Sequence, residues 1–96
     1  MVSVIIATKN REESLKKCLR ALYNNNLRGV EILVVDSGDR DNSALFSRGK
    51  KVKYFHFESE SLAEARDFGW RKARGEIVVF MDADCVAPSD WLSRIG

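Results

Sequence analysis

The residues best equipped for chemistry are carboxylates that close apolar runs. Asp82 and Asp84 flank Ala83 directly after the apolar stretch Ile77–Met81, and Asp36 follows Val30-Glu31-Ile32-Leu33-Val34-Val35. A third run, Val2-Ser3-Val4-Ile5-Ile6-Ala7, ends in Thr8-Lys9-Asn10. An Asp-x-Asp pair offers two hard oxygen ligands to Mg²⁺ or Mn²⁺, and a diphosphate can supply others. In extended backbone, residues i and i+2 point the same way, so Asp82 and Asp84 can share one task. Carboxylates so close repel: two unit charges 4 Å apart cost about 4 kcal/mol at an effective dielectric near 20. Such a cluster requires a cation or a set of donors. Each residue also has a plainer reading. Asp82 and Asp84 can be solvated turn acids, the Thr8 hydroxyl can bond local backbone, and Asp39 and Asp41 can cap a loop. Asn10 reads first as a helix cap and then as a ligand contact. Arg66 either pairs with Glu64 or Asp67, or reaches the acidic cluster or a phosphate, where guanidinium bonds are bidentate. Lone His56 has no catalytic role in this reading, and Trp70 and Trp91 read as packing residues.

The elements that must position these groups alternate. Residues 2–7 form a β-branched strand. A helix follows, with Asn10 and Glu13 as a capping-box pair and Leu15, Cys18, Leu19 and Leu22 as its apolar stripe. Asn24-Asn25-Asn26 and Gly29 end it. Residues 30–35 form a second strand, 41–48 a short helix, and 52–57, carrying Lys53, an edge strand. Ser61 and Glu64 cap a helix whose stripe is Leu62, Ala65, Gly69 and Ala73. Ile77–Met81, apolar throughout, reads as a strand buried on both faces. Pro88-Ser89-Asp90-Trp91-Leu92 opens a last helix.

Strands alternating with helices imply an α/β fold with a parallel sheet and right-handed crossovers. The expected sheet is Rossmann-like, four strands in order 3-2-1-4 with helices on both faces; a flavodoxin-like order is the alternative. Ligands of such sheets bind beyond the carboxyl ends of the strands. With strands about 4.8 Å apart, Asp36 and Asp82 would flank the first strand roughly 10 Å from each other, a gap that suits a heterocycle and its ribose.

Composition narrows the field further. The chain has 96 residues, 45% hydrophobic and 31% charged, with a net charge of +2. That suits one globular domain over residues 1–96. The balanced charge provides no electrostatic footprint for nucleic acid. The five-residue apolar maximum is far short of the ~20 a membrane helix needs. Met1 runs straight into a strand with no basic leader, so the expected location is cytoplasmic. Cys18 and Cys85 lack zinc-knuckle spacing and are expected to be reduced thiols. There is no Gly-x-Gly-x-x-Gly and no Gly-Lys-Ser/Thr loop, which argues against dinucleotide and P-loop sites.

Four segments, in order, resemble the family 2 glycosyltransferases, which have the GT-A fold. They are Ser3-Val4-Ile5-Ile6-Ala7-Thr8-Lys9-Asn10-Arg11; Glu31–Gly38 with Asp41; Leu62-Ala63-Glu64-Ala65-Arg66-Asp67-Phe68-Gly69; and Ala73–Glu76 through Phe80-Met81-Asp82-Ala83-Asp84. The resemblance spans residues 2–92. It implies transfer of a sugar from a nucleotide-diphosphate donor to an acceptor, generally with inversion. It also implies that Thr8 and Asp36 contact the nucleoside, with Asp36 on the base. Asp82 would meet the ribose or the metal edge, and Asp84 the Mn²⁺ or Mg²⁺ that holds the diphosphate. Asn10 and Arg66 complete the nucleotide-sugar contacts. Ala7 replaces the usual Pro, and Asp67 the Asn that commonly follows the Arg. The family's acceptor site and general base come after Asp-x-Asp, and no residue here matches that base. The chain is therefore expected to be the donor-binding half of a transferase, inactive alone and at the cytoplasmic membrane face in a longer form. The alternative is a non-catalytic nucleotide-binding or self-associating module, joined through an uncovered side of the sheet.

Overall fold

A computed structural model describes residues 1–42 and 52–95. Its elements are β1 (Val2–Thr8), α1 (Glu12–Tyr23), β2 (Val30–Asp36), β3 (Val52–His56), α2 (Leu62–Lys72), β4 (Ile77–Asp82) and α3 (Trp91–Ile95). The strands are all parallel in the order β3-β2-β1-β4, as the alternating pattern implies. The helix expected over 41–48 lies outside the described residues from 43 onward, and residues 41 and 42 are irregular.

β1 is the spine of the sheet. It pairs with β2 from Val2↔Val30 to Thr8↔Asp36 and with β4 from Val2↔Ile77 to Ala7↔Asp82. Its even-numbered residues face α1. Val4 and Ile6 pack there with Ile32, Val34, Met81 and the α1 stripe Leu15, Cys18, Leu19 and Leu22, every one of them buried. Complete burial of each Leu contributes about 1.5–3 kcal/mol. The other face meets α2, where Gly69 lies against β1. A Cβ there would sit 2.6 Å from Ile5 Cγ2, so this close approach requires glycine. Beside it, Phe68 stacks on Phe57 with ring centroids 4.3 Å apart. Ser61 caps α2 as expected, its hydroxyl accepting from the Glu64 amide at 3.2 Å.

Two local expectations are corrected. β4 is an edge strand and is not buried on both faces: Ile77 is 43% and Phe80 47% exposed. The cause is the position of α2, which packs over β1 and β2 rather than over β4. Asn10 does not cap α1. Arg11 holds the cap position without a side-chain bond, and Asn10 turns instead toward the loop after β2.

The amino end of the sheet carries a buried polar network absent from the sequence reading. The Ser3 hydroxyl donates to Glu31 Oε2 at 2.5 Å, the Arg74 amide to the same oxygen at 2.6 Å, and Lys53 Nζ to Oε1 at 3.0 Å. The Gly75 amide donates to Ser3 Oγ at 2.8 Å. Together these bonds fix the α2–β4 turn beneath the strands. Buried Asn25 does the same for α3: its Oδ1 accepts from the Leu92 amide at 2.9 Å, and its Nδ2 donates to the Pro88 carbonyl at 3.0 Å.

Burial alone would raise the Glu31 pKa, but the bonds from Ser3, Arg74 and Lys53 outweigh it and hold the carboxyl below its ordinary 4.5. The folded state thus binds fewer protons than the unfolded one. Glu31 contributes stability in full above about pH 4.5, and that contribution is lost as pH falls through the lower folded value. Glu31→Ala should cost about 2 kcal/mol or more in urea unfolding at pH 7, by stranding Ser3 and the Arg74 amide. The variant's acid limb should also be flatter than that of the native chain, and an unchanged limb would contradict the network's role.

Candidate functional site

At the carboxyl ends of the strands, backbone bonds join the loop after β2 to β1 and close the turn after β4. The Ser37 amide donates to the Thr8 carbonyl at 2.9 Å, and the Cys85 amide closes a turn onto the Asp82 carbonyl at 3.1 Å. Above them opens a cleft of about 600 Å³ whose walls include Thr8, Asn10, Ser37, Ser61, Asp82 and Asp84. Four of the six residues singled out from the sequence therefore meet in one place.

Thr8 is the most telling of them. It is 3% exposed, and its Oγ1 is buried with no hydrogen-bond partner, the one such side-chain atom among the described residues. The plain reading of Thr8, a hydroxyl spent on local backbone, therefore does not hold. A buried hydroxyl left unpaired costs about 1–3 kcal/mol, and a ligand atom entering the cleft can supply the missing partner. Asn10 takes the left-handed backbone conformation at φ 55°, which Asn tolerates better than most residues. Its Oδ1 accepts from the Asp39 amide at 2.9 Å, joining the loops after β1 and β2.

Asp82 and Asp84 rim the far side, both exposed. Arg66, one turn into α2, reaches Asp82 Oδ1 at 3.2 Å. It thus joins the acidic cluster, and Asp67 pairs instead with Arg71 at 3.0 Å. Both partners of the Arg66–Asp82 pair stay substantially solvated, so the bond is readily exchanged.

Asp36 is elsewhere. It is 3% exposed and does not line the cleft. Its Oδ1 accepts from the Gly38 amide at 2.9 Å and its Oδ2 from the Tyr54 hydroxyl at 2.5 Å. Burial, followed by the bond to Asp36, raises the Tyr54 pKa, so the phenol stays a proton donor. Gly38 lies so tightly between Asn10 and Asp36 that a Cβ would come within 2.9 Å of an oxygen on each. His56 Nε2 meets the Gly38 carbonyl at 2.8 Å, a contact that raises the imidazole pKa. Asp36 thus sets the shape of the 36–39 loop from below. Beneath the Asp82–Cys85 turn, burial pushes the Cys18 thiol up to about 11, with Cys85 and Asp84 adding to the effect.

The sequence reading missed Tyr54, Ser59 and Ser61 as parts of this region. Tyr54 had a usable signal: alternation on β3 puts it on the face of Val34 and Asp36. Ser59 had none, since its bond to Ser37 Oγ at 2.6 Å depends on the path of the loop after β3.

The fit to a divalent ion rests on the donors present. Two exposed carboxylates on one turn, within reach of each other and of Cys85 Sγ at 4.8 Å or less, suit an ion that keeps positions open for other oxygens.

A four-stranded parallel sheet in this order, with an acid-rimmed cleft beyond its carboxyl ends, is the α/β arrangement of the GT-A glycosyltransferases. Residues 3–95 match the profile of Glycosyl transferase family 2, and the chain belongs to that family. It is 33% identical over 101 residues to the glycosyltransferase AglE of Haloferax volcanii, covering 97% of this chain and 33% of AglE. It is 31% identical over 96 residues to EpsH of Bacillus subtilis, covering 95% of this chain and 26% of EpsH. The crystal structure of S. aureus TarS 1-349 in complex with UDP-GlcNAc superposes with a TM-score of 0.81 at 26% identity, over 98% of this chain and 29% of that one. The chain thus spans about a quarter to a third of the length of these relatives.

Thr8→Val removes the unpaired hydroxyl while keeping the shape of the side chain. It should raise the stability of the ligand-free chain by about 1 kcal/mol in urea unfolding. A loss of stability would mean that the hydroxyl is already bonded.

Proposed function

We propose that this chain is the donor-binding part of a sugar transferase, taking a nucleotide-diphosphate sugar with the help of a divalent cation. The observation that carries the reading is the orphaned Thr8 hydroxyl in the cleft rimmed by Asp82 and Asp84. The S. aureus TarS complex with UDP-GlcNAc, on the same fold, supports the choice of ligand.

In this reading Thr8 and Asn10 meet the nucleoside. Asp36 serves its base side, holding the loop against which the heterocycle lies. Asp82 and Asp84 hold a Mn²⁺- or Mg²⁺-type ion, which when bound stabilises charge on the departing diphosphate. Arg66, freed from Asp82, offers its guanidinium fork to phosphate oxygens. The full-length protein would pass the sugar to an acceptor that these residues do not define. The 96 residues by themselves would bind donor without transferring it.

Calorimetry with UDP and GDP, with and without Mn²⁺, tests the reading. One nucleotide should bind in a metal-dependent way, and Asp84→Ala should weaken that binding by about tenfold or more. Absence of binding by either nucleotide at millimolar concentration would remove the donor-site assignment.

A second reading has its own support. Ile77 and Phe80 are exposed on β4, whose outer edge pairs with no strand among the described residues. Open edges of this kind promote strand pairing between chains. Self-association through β4 would give a concentration-dependent mass in light scattering that Phe80→Lys abolishes. A monomer at all concentrations would exclude it.

A further inference from the structure

A cleft wall is only as well placed as the residues behind it. The wall after β2 is held from outside the cleft: Asn10 and Ser37 line it, whereas Asp36 and Tyr54 do not. The Tyr54 hydroxyl donates to Asp36 Oδ2 at 2.5 Å and accepts from the Asn42 amide at 3.0 Å, so one phenol on β3 joins both ends of the 36–42 segment. The Asn42 side chain extends the link, donating to Glu12 Oε1 on α1 at 3.1 Å. From Asp36 the link also runs inward. Asp36 Oδ1 holds the Gly38 amide at 2.9 Å, and the Asp39 amide next to it donates to Asn10 Oδ1 at 2.9 Å on the cleft wall. β3, which carries Tyr54, and β4, which carries Asp82, are the outer strands of the sheet. Three strand spacings, ~14 Å in all, separate them. A nucleoside diphosphate with its phosphates at Asp82 and Asp84 therefore lays its base toward the wall that Tyr54 supports.

We propose that Tyr54 is the positioning residue that sets which base this cleft prefers, acting through Asp36 and the 36–39 loop without touching the ligand. The role presupposes the nucleotide donor site proposed above and adds to it the residue that selects the base. A pocket tells one heterocycle from another by where its hydrogen-bonding groups stand, and it loses that power when its wall can shift. Beyond the Ser37 amide bond to the Thr8 carbonyl, side chains hold this loop, and Asp36 is the buried one among them. Without the Tyr54 hydroxyl, Asp36 Oδ2 keeps, among the described residues, only the long 3.5 Å contact with Asn42 Nδ2. A buried carboxylate oxygen stripped of its donor is costly, and turning toward another donor would carry the loop with it. The Tyr54 ring packs against the core shared with α1, so Tyr54→Phe keeps the packing and removes the bond.

The test is calorimetry of UDP, GDP and pyrophosphate, each with Mn²⁺, on the 96-residue chain and on Tyr54→Phe. The native chain should prefer one nucleotide. Tyr54→Phe should weaken binding of that nucleotide by about tenfold and of the other by less than about threefold, so that the preference shrinks. Pyrophosphate, which has no base, should bind both proteins alike. Asn42→Ala removes the outer link to Glu12 and keeps the Tyr54 bond. It should reduce the preference by about threefold, and it carries the test if circular dichroism shows that Tyr54→Phe does not fold. Equal losses on all three ligands would make Tyr54 a merely structural residue. An unchanged preference in a folded variant, or a native chain that binds both nucleotides equally, would remove its role. Each of these results leaves the donor site standing. If neither nucleotide binds the native chain, the donor site falls and the role of Tyr54 with it.

Discussion

Parallel pairing of β1 on both of its edges is the constraint on which everything else depends. The register Thr8↔Asp36 on one side and Ala7↔Asp82 on the other brings three strand ends to one level. That level is where the chain changes from apolar to polar in each of the three segments. An even slip in either register would keep the faces but separate the polar ends by two residues. A slip of one would turn Val4 and Ile6 out of the core. Burial of β1 therefore secures the site, and Gly69, by letting α2 lie directly on Ile5, closes the second face over the same strand.

The two ends of the sheet are built on opposite principles. At the amino end, Ser3, Glu31, Arg74 and Gly75 satisfy one another within a buried network. At the carboxyl end, Thr8 keeps an unmade bond, and Asp82 and Asp84 stay in solvent with one exchangeable ion pair between them and α2. Satisfied buried polar groups rigidify, whereas unsatisfied ones are a cost that a ligand can relieve. The contrast fits a scaffold anchored at one end and prepared to bind at the other. Asp36 lies beside the cleft, where its bonds to the Gly38 amide and the Tyr54 hydroxyl shape the 36–39 loop.

Much of this was legible in the residues. Apolar runs, the Leu15–Leu22 stripe and the Ser61–Glu64 cap are local signals, and parallel crossovers narrow the sheet to two orders, of which 3-2-1-4 is the one found. Thr8, Asn10, Asp82 and Asp84 could be grouped because each ends an apolar run or stands just beyond one. What escaped depended on tertiary geometry. The exposure of β4 follows from where α2 settles, which its own stripe does not specify. Asn10 matched a cap pattern, but its side chain bonds Asp39, a residue distant in the chain. Tyr54 and Glu31 looked like ordinary strand residues until the neighbouring strands put partners opposite them. The family resemblance, carried by four motifs in order, agrees with the family match over residues 3–95.

Paramagnetic broadening by Mn²⁺ in the presence of UDP, read residue by residue in an amide NMR spectrum, tests most directly whether the strand-end cleft is the binding site. The amides of Thr8, Asn10, Ser37 and Asp84 should broaden first, while those of Gly29 and Gly75, at the amino end of the sheet, should stay sharp. Broadening centred on Gly29 and Gly75, or spread evenly over the chain, would contradict the assignment of the cleft.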